Sequence, residues 1–372
     1  MRLRGLQAVH DVHTPADTAK AVAGQGGGSL SCCDESTTCW DGKALHRRSV
    51  LQGAAMLAGV LAGGGARAAG PRLKLAFCSQ LLCIIPYEVA RSGGHFEREG
   101  LQIELVYTRG GNAAMQALVG GAVDYAATSL DVALQAYAHG AAIRRFATTG
   151  RLPLFAVATA PKRAADITDI RHLEGHSIGV SALGNADHAL ALYLLKKAGA
   201  DPAKVRFATL GTNLLEALRQ GQVDAGMVQE PALTLVSRAG GRVLANLMDE
   251  ADAHRFLGGD YEFMGVAVRE DERDKRRDEM AALGRALKSA LAATQTVSPD
   301  DLVTALPRET LIGADLAELR QILARYRSSL YPTGIALNRA AEDRVAESLK
   351  EAGLLKQDFD AGGLYDTSIA GG

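Results

Sequence analysis

The strongest constraint on the fold of this chain is an internal repeat at an offset of one hundred residues. Residues 111–124 and 211–224 both read G-x5-A-L-x2-G-x-V-D. Strand-like runs lie at matching places ahead of both segments, at 73–77, 101–107, 177–180 and 205–210. Short apolar strands that alternate with helices predict a β-α-β-α-β unit built twice, an α/β fold with a largely parallel sheet in each half.

The repeated residues also predict local structure. Gly121 and Gly221 stand where a glycine would end the short helix of each unit, and the strand that follows begins at the next valine. Asp124 and Asp224 come at the entry of that strand, so we expect them to have a structural role.

Length and charge narrow the class of protein. The 372 residues suit two lobes, and 47% hydrophobic residues are enough to bury a sizeable core. Lys and Arg number 41 against 42 Asp and Glu. With no basic excess we expect no nucleic-acid partner.

Residues 46–69 have the layout of a signal peptide. Arg47-Arg48 precede a weakly apolar stretch at 50–62, and Ala66 and Ala68 offer a cleavage site near Ala68. The twin arginine predicts export to the periplasm by the twin-arginine route. The alternative is a chance Arg-Arg before a buried helix, although the apolar stretch is too short to span a bilayer.

Residues 1–45 are longer than an ordinary signal-peptide start. We interpret them as a disordered or mis-started lead. Cys32, Cys33 and Cys39 lie in this lead without a second ligand pair at zinc spacing, and we predict no metal there.

The last third of the chain departs from the repeat. Residues 261–269 read as a strand, and helices are predicted at 276–297, 315–325 and 340–352. We therefore expect lobe 1 to comprise residues 70–157 and 264–372, with the C-terminal helices. Lobe 2 would comprise residues 158–263. Crossover strands would then join the lobes as a hinge.

Three sequence motifs carry a family resemblance. They are Pro86–Ala90 followed by Gly94–Leu101, Gly120–Ala126, and Gly221–Ala225 followed by Gln229-Glu-Pro231. With these motifs the chain, from about residue 73 to 354, resembles a periplasmic solute-binding protein of an ABC importer. The group is that of nitrate, sulfonate and taurine binders, which shares its domain with thiamine-pyrimidine-precursor binders. The resemblance implies the two-lobe, type II periplasmic-binding-protein fold, with a solute bound between the lobes and delivered to a membrane permease and its ATPase.

In open α/β sheets, ligands bind beyond the carboxyl ends of the strands, against helix N-termini. The repeat locates these ends in both lobes. The ligand-binding candidates in lobe 1 are Ser79, Gln80, Tyr87, Arg109, Asn112, Thr128, Ser129 and Asp131. The candidates in lobe 2 are Ser181, Asn185, Asp187, His188, Thr212, Asn213, Gln229 and Glu230.

Several candidates have an ordinary structural alternative. Hydroxyl, amide and carboxylate residues at these places are also good helix caps, which applies to Thr128, Ser129, Asn185 and Asp187. His188 is a lone histidine near a turn, more typical of a surface residue. For Tyr87 the two interpretations are stacking on a ring of the solute and packing at the edge of its lobe.

Cys78 and Cys83 follow the proposed signal peptide, five residues apart. A disulfide, buried thiols and metal or redox chemistry all remain open for this pair. The pyrimidine synthases that share the fold depend on a dense cysteine cluster, which residues 70–372 of this sequence do not contain.

The main functional hypothesis is a non-catalytic binding protein, expected to be a monomer, with no cofactor and no bound metal. The solute would be a sulfonate, a taurine-like zwitterion, nitrate or a pyrimidine-type heterocycle, and the acidic candidates favour a zwitterionic or neutral compound. The alternative is an enzyme of pyrimidine- or menaquinone-precursor synthesis on the same fold. A third hypothesis is a sensory binding lobe with a membrane partner.

Overall fold

The structure, a computed structural model, describes residues 72–370. The predictions for the lead, the signal peptide and its cleavage site concern residues 1–69 and lie outside the described part. The strands, in chain order, are β1 (Arg72–Cys78), β2 (Gln102–Thr108), β3 (Tyr125–Ser129), β4 (Ile143–Thr148), β5 (Ala156–Thr159), β6 (Ser177–Val180), β7 (Arg206–Thr209), β8 (Ala225–Val228), β9 (Val243–Asn246) and β10 (Met264–Arg269).

These strands form two five-stranded sheets with the same plan. The first has the order β2-β1-β3-β10-β4 and the second the order β7-β6-β8-β5-β9. In each, three neighbouring strands are parallel, and the fourth strand in order is antiparallel to both of its neighbours. The chain crosses from the first sheet to the second between β4 and β5 and returns between β9 and β10. This is the duplicated α/β architecture that the repeat predicts.

Helices cover both sheets and form most of the C-terminal third. In chain order they are α1 (Leu81–Ser92), α2 (His95–Arg98), α3 (Gly111–Val119), α4 (Leu130–Ala138), α5 (Ala186–Lys197), α6 (Leu214–Gln220), α7 (Ala232–Arg238), α8 (Glu250–Leu257), α9 (Glu270–Arg273), α10 (Arg277–Thr296), α11 (Pro299–Ala305), α12 (Arg308–Leu311), α13 (Leu316–Leu330) and α14 (Arg339–Ala352). Within residues 72–370, none of the helices has the length and apolar character needed to cross a bilayer.

The repeated aspartates make the same contact in both halves. Asp124 Oδ2 accepts the backbone N–H of Lys74 on β1 at 2.7 Å, and Asp224 Oδ2 accepts that of Ser177 on β6 at 2.9 Å. Each carboxylate thus ties the start of the third strand to the first strand of its sheet. The structural role predicted for this pair is confirmed.

The C-terminal helices contact elements of both sheets. Helix α14 packs on α4, which follows β3, and on α5, which follows β6. From α13, Glu318 pairs with Arg238 of α7, and the Tyr326 hydroxyl accepts a hydrogen bond from Asn246 at 3.0 Å. The sequence led us to expect that these helices complete lobe 1, but they also pack against the second sheet and its helices.

Candidate functional site

A small cavity lies where the carboxyl ends of the two sheets face each other. Its floor in the first lobe is formed by residues at the ends of β1, β2 and β3, and its opposite wall by residues that follow β6 and β8. The cavity has a volume of about 30 Å³, room for a water molecule or two. A second compartment of about 210 Å³ extends from it toward Pro231, and the residues that line both are Gln80, Phe155, Ser181, Asp187 and Gln229. The two lobes are therefore nearly in contact around this site.

The structure brings most of the predicted ligand-binding residues together here. Those that line the cavity are Gln80, Arg109, Thr128, Ser129, Ser181, Asn185, Asp187 and Gln229. Thr212 and Glu230 line the second compartment. Each lies at the end of a strand or in the loop or helix start that follows it, as the carboxyl-end rule requires.

Tyr87 and Asp131 lie inside lobe 1 instead of in the cavity wall. Tyr87 is fully buried, stacks on Phe77 with ring centroids 4.9 Å apart, and hydrogen-bonds the Thr149 hydroxyl at 2.7 Å. Asp131 is also fully buried, and its Oδ1 accepts a hydrogen bond from the Tyr261 hydroxyl at 2.7 Å. Their place in the candidate list needs correction, because Tyr87 on α1 and Asp131 on α4 point into the core.

Four other candidates lie beside the cavity without lining it. His188 packs edge-on against Phe207, and its Nδ1 accepts the Gly184 N–H at 3.2 Å. Ser79 is exposed and donates its backbone N–H to Thr108. Asn213 is exposed at the start of α6. Asn112 belongs to the contact between the lobes described below.

Asp187 is the buried acid of the cavity. Its two oxygens accept hydrogen bonds from the backbone N–H and, at 2.9 Å, from the hydroxyl of Ser181. Burial raises the pKa of Asp187 to about 6, against the lowering effect of the bonds from Ser181. The side chain does not cap α5. It lies instead among the residues that line the cavity, where it is a strong acceptor for a proton donor.

Asn185 joins the two lobes at the edge of the cavity. Its Nδ2 donates to the Ser181 hydroxyl at 2.9 Å, and its Oδ1 accepts the backbone N–H of Asn112 across the cleft at 3.3 Å. A Cβ at Gly110 would lie 3.0 Å from Asn185 Nδ2, so glycine permits this close approach. Nearby, Gln135 of α4 donates to the Gly184 carbonyl at 3.2 Å, a second hydrogen bond between the lobes.

Gln229 and Glu230 follow β8 and differ in their partners. The Oε1 atom of Gln229 is buried and has no hydrogen-bond partner, so it can accept a bond from a ligand. One oxygen of Glu230 accepts the N–H of Thr234 at 3.0 Å and its hydroxyl at 2.9 Å. Burial raises the pKa of Glu230, and Arg325 of α13 lowers it. Glu230 thus stabilises the start of α7 while its carboxyl borders the second compartment.

Arg109 brings positive charge to the first-lobe side of the cavity. It follows β2, its side chain is exposed, and it is among the residues that line the cavity. The exposed guanidinium thus lies on the first lobe, whereas the buried acceptors Asp187 and Gln229 lie on the second.

Sequence reasoning missed the apolar part of the wall, which consists of Val132, Phe155, Phe263 and Met264. The predicted residues are polar and follow the repeated strands. Phe155 and Phe263 are apolar and belong to the two crossovers, which the repeat does not contain. Cys78 and Cys83 also line the cavity, both as free, buried thiols. Among the described residues, no group of three or more His, Cys, Asp and Glu side chains could hold a metal ion.

Comparisons with known proteins agree with this architecture. A comparison with curated protein sequences found no match. Among solved structures, a protein of Bordetella bronchiseptica RB50 is 23% identical with a TM-score of 0.72, covering 80% of this chain and 95% of that one. The alkanesulfonate-binding protein SsuA of Xanthomonas axonopodis pv. citri, bound to MOPS, is 19% identical with a TM-score of 0.65, covering 81% and 100%. The periplasmic nitrate-binding protein NrtA of Synechocystis PCC 6803 is 13% identical with a TM-score of 0.60, covering 78% and 83%.

These similarities establish the periplasmic-binding-protein fold. The family model described as NMT1/THI5 like matches residues 83–299, more than half of the chain, and spans both sheets. The resemblance inferred from the sequence is thereby confirmed: the chain belongs to the NMT1/THI5-like family and has the two-lobe fold of its periplasmic binding proteins.

Proposed function

We propose that the protein is the extracytoplasmic solute-binding component of an ABC importer. The observation that carries the proposal is the cavity between the two sheets, lined from both lobes by polar groups at strand ends. A solute held there would contact both lobes and would favour the closed form over the open one. The lobes would turn about the crossovers, with boundaries near residues 157 and 263.

The cavity chemistry favours a solute that carries N–H donors. Gln229 Oε1 needs a donor, and the buried Asp187 carboxyl gains from one. Phe155 and Phe263 on the wall suit a ring or a short alkyl segment. We propose a neutral or zwitterionic solute, such as a heterocycle or an aminosulfonate, in preference to a bare inorganic anion. An acidic end of such a solute would face Arg109.

The protein would act as a monomer in the periplasm and would deliver its solute to a permease and an ATPase at the inner membrane. Residues 46–69 would direct its export by the twin-arginine route.

The alternative, an enzyme on the same fold, would need a proton-transfer group beside a nucleophile. The described lining of the cavity includes the thiols of Cys78 and Cys83 and the Asp187 carboxyl, but no histidine. Both Asp187 oxygens accept hydrogen bonds from Ser181 and not from a thiol, so the described contacts favour binding over catalysis.

The experiment is a thermal-shift screen of the purified protein against sulfonates, taurine, nitrate and pyrimidines, followed by calorimetry on any compound that binds. A solute at a hundred times its Kd would stabilise the native state by about 2.7 kcal/mol. Gln229→Ala should weaken the binding tenfold or more, because the buried acceptor is lost.

The matched control is Gln220→Ala, which removes an exposed side chain bonded only to Glu216 and Gln222 in the same lobe. Its affinity should equal that of the wild type. Equal affinity in both variants would place the solute elsewhere in the molecule.

A further inference from the structure

The cavity contains a pair of thiols that the proposed function does not use. Cys78 is the last residue of β1, and Cys83 lies in the first turn of α1. The backbone N–H of Cys83 donates to the Gln80 carbonyl at 2.9 Å, which closes the turn between them. Both side chains line the cavity, and both are free thiols.

The two thiols interact with each other and differ in character. A hydrogen bond from Cys83 lowers the pKa of Cys78, whereas the same bond and burial raise the pKa of Cys83 well above its usual range. The Cys78 thiol lies 3.6 Å from Gln80 Oε1, to which it can donate. Cys78 is therefore the better nucleophile, and Cys83 lies on the same cavity wall, one turn further along the chain.

The opposite lobe covers this pair. Cys78 is 8% exposed and Cys83 is 4% exposed. Gln229 of lobe 2 lies on the same cavity, interacts with Cys83 and keeps a buried Oε1 without a partner. A cavity of about 30 Å³ cannot admit a disulfide reagent of peptide size. With the lobes placed as in the structure, a reagent of that size does not fit beside the thiols, so separation of the lobes would expose them to it.

We propose that Cys78 and Cys83 form a redox-convertible dithiol whose oxidation is controlled by separation of the two lobes. The oxidant is a small disulfide, for which glutathione disulfide is the probe. The Cys78 thiolate attacks one sulfur of the oxidant, and one glutathione leaves as a thiolate that takes up a proton. Cys83 then loses its proton and attacks the Cys78 sulfur, so the second glutathione leaves. The protein loses two hydrogen atoms, and one disulfide is reduced to two thiols.

Oxidation would change the cavity wall. The S–H donor that faces Gln80 Oε1 disappears, and that oxygen becomes free to accept another bond. Since Gln80 lines both compartments, the redox state would alter the recognition of a solute; this consequence rests on the proposed function. The dithiol itself is independent of it.

The test uses the full chain and mass spectrometry. Trypsin cleaves after Lys74 and Arg91, so both cysteines fall in the single peptide 75–91. After incubation with glutathione disulfide and alkylation, we expect this peptide to lack both alkyl groups and to have lost two hydrogen atoms. Cys83→Ser should stop at the mixed disulfide on Cys78.

Control by lobe separation is tested with two glutamine variants. Gln135→Ala removes the hydrogen bond from α4 to the Gly184 carbonyl of the other lobe and should oxidise about fivefold faster. Gln220→Ala loses only bonds inside lobe 2 and should oxidise at the wild-type rate.

Two outcomes would overturn the proposal. If peptide 75–91 keeps two alkylated cysteines, or carries glutathione without an internal bond, the pair is not a convertible dithiol. If the cysteine pair is oxidised at the same rate in Gln135→Ala as in Gln220→Ala, lobe separation does not control the reaction. Neither outcome depends on solute binding, so failure of this proposal and failure of the proposed function are distinguishable.

Discussion

Replacing Asp187 by asparagine should stabilise the protein without solute and weaken its binding of solute. Burial raises the pKa of this carboxyl from 3.8 to about 6 in the folded protein. The folded state then binds more protons than the unfolded state, so this group lowers stability as pH rises from about 4 to 6. This loss of folding free energy is complete just above pH 6. Near pH 7 it amounts to about 3 kcal/mol, because each unit of pKa difference corresponds to about 1.36 kcal/mol.

Asparagine removes the charge but keeps one acceptor oxygen for Ser181. The loss of the other hydrogen bond costs about 1 kcal/mol. The net gain for Asp187→Asn at pH 7 is therefore about 2 kcal/mol, which should vanish or reverse near pH 4. Binding of a solute with N–H donors should weaken about tenfold or more, because a neutral amide replaces a carboxylate.

The assay is urea unfolding of the wild type and of Asp187→Asn at several pH values between 4 and 7.5. Asp166→Asn is the control, because Asp166 is exposed and its nearest cation, Arg163, is 3.8 Å away. Its stability should match that of the wild type within experimental error. The explanation would be refuted if the difference between wild type and Asp187→Asn were independent of pH, or if the variant were less stable at pH 7.

Two further substitutions test the interior of lobe 1 and the contact between the lobes. Tyr261→Phe removes the hydrogen bond that the buried Asp131 carboxyl accepts from this hydroxyl, and burial already raises the pKa of that carboxyl to about 7. It should cost about 2 kcal/mol at pH 8 and less at pH 5, where that carboxyl is protonated, as measured by urea unfolding. Gly110→Ala introduces a Cβ only 3.0 Å from Asn185 of the other lobe and should make the cavity thiols react several-fold faster with iodoacetamide. Gly334→Ala, where a Cβ meets no atom within 4 Å, should leave that rate unchanged; equal rates in both would contradict the steric argument.

The duplicated sheets could be predicted because the signals that build each sheet lie within one repeated unit. A glycine in the left-handed region ends α6 at Gly221, where φ is 66°. Asp124 accepts a backbone N–H from the first strand of its sheet, fifty residues earlier in the chain, and Asp224 does the same over forty-seven residues. Such contacts recur wherever the unit recurs, so a repeat in the sequence predicts a repeat in the structure.

The carboxyl-end rule located the polar half of the cavity but could not separate residues that face it from neighbours that face the core. Ser129 and Asp131 are two positions apart at the start of α4, yet only Ser129 lines the cavity. Ser129 ends β3 with an extended backbone and Asp131 is already helical, so the two side chains follow different backbone geometries and point in different directions. The hydroxyl of Tyr261, 130 residues away in sequence, satisfies Asp131 inside the lobe. No pattern around Asp131 itself indicates that partner.

How far the two half-sites close on each other depends on contacts that the two repeated units do not have in common. The hydrogen bond between Asn112 and Asn185 joins the lobes, but each residue satisfies the local rules of its own lobe equally well without it. Helices α13 and α14 contact both lobes, through the Tyr326 hydroxyl and through packing on α4 and α5. Under the proposed function, in which a solute draws the two lobes together, these contacts of the unrepeated tail would contribute to the balance between open and closed forms, and with it to the energy that a solute must supply on binding.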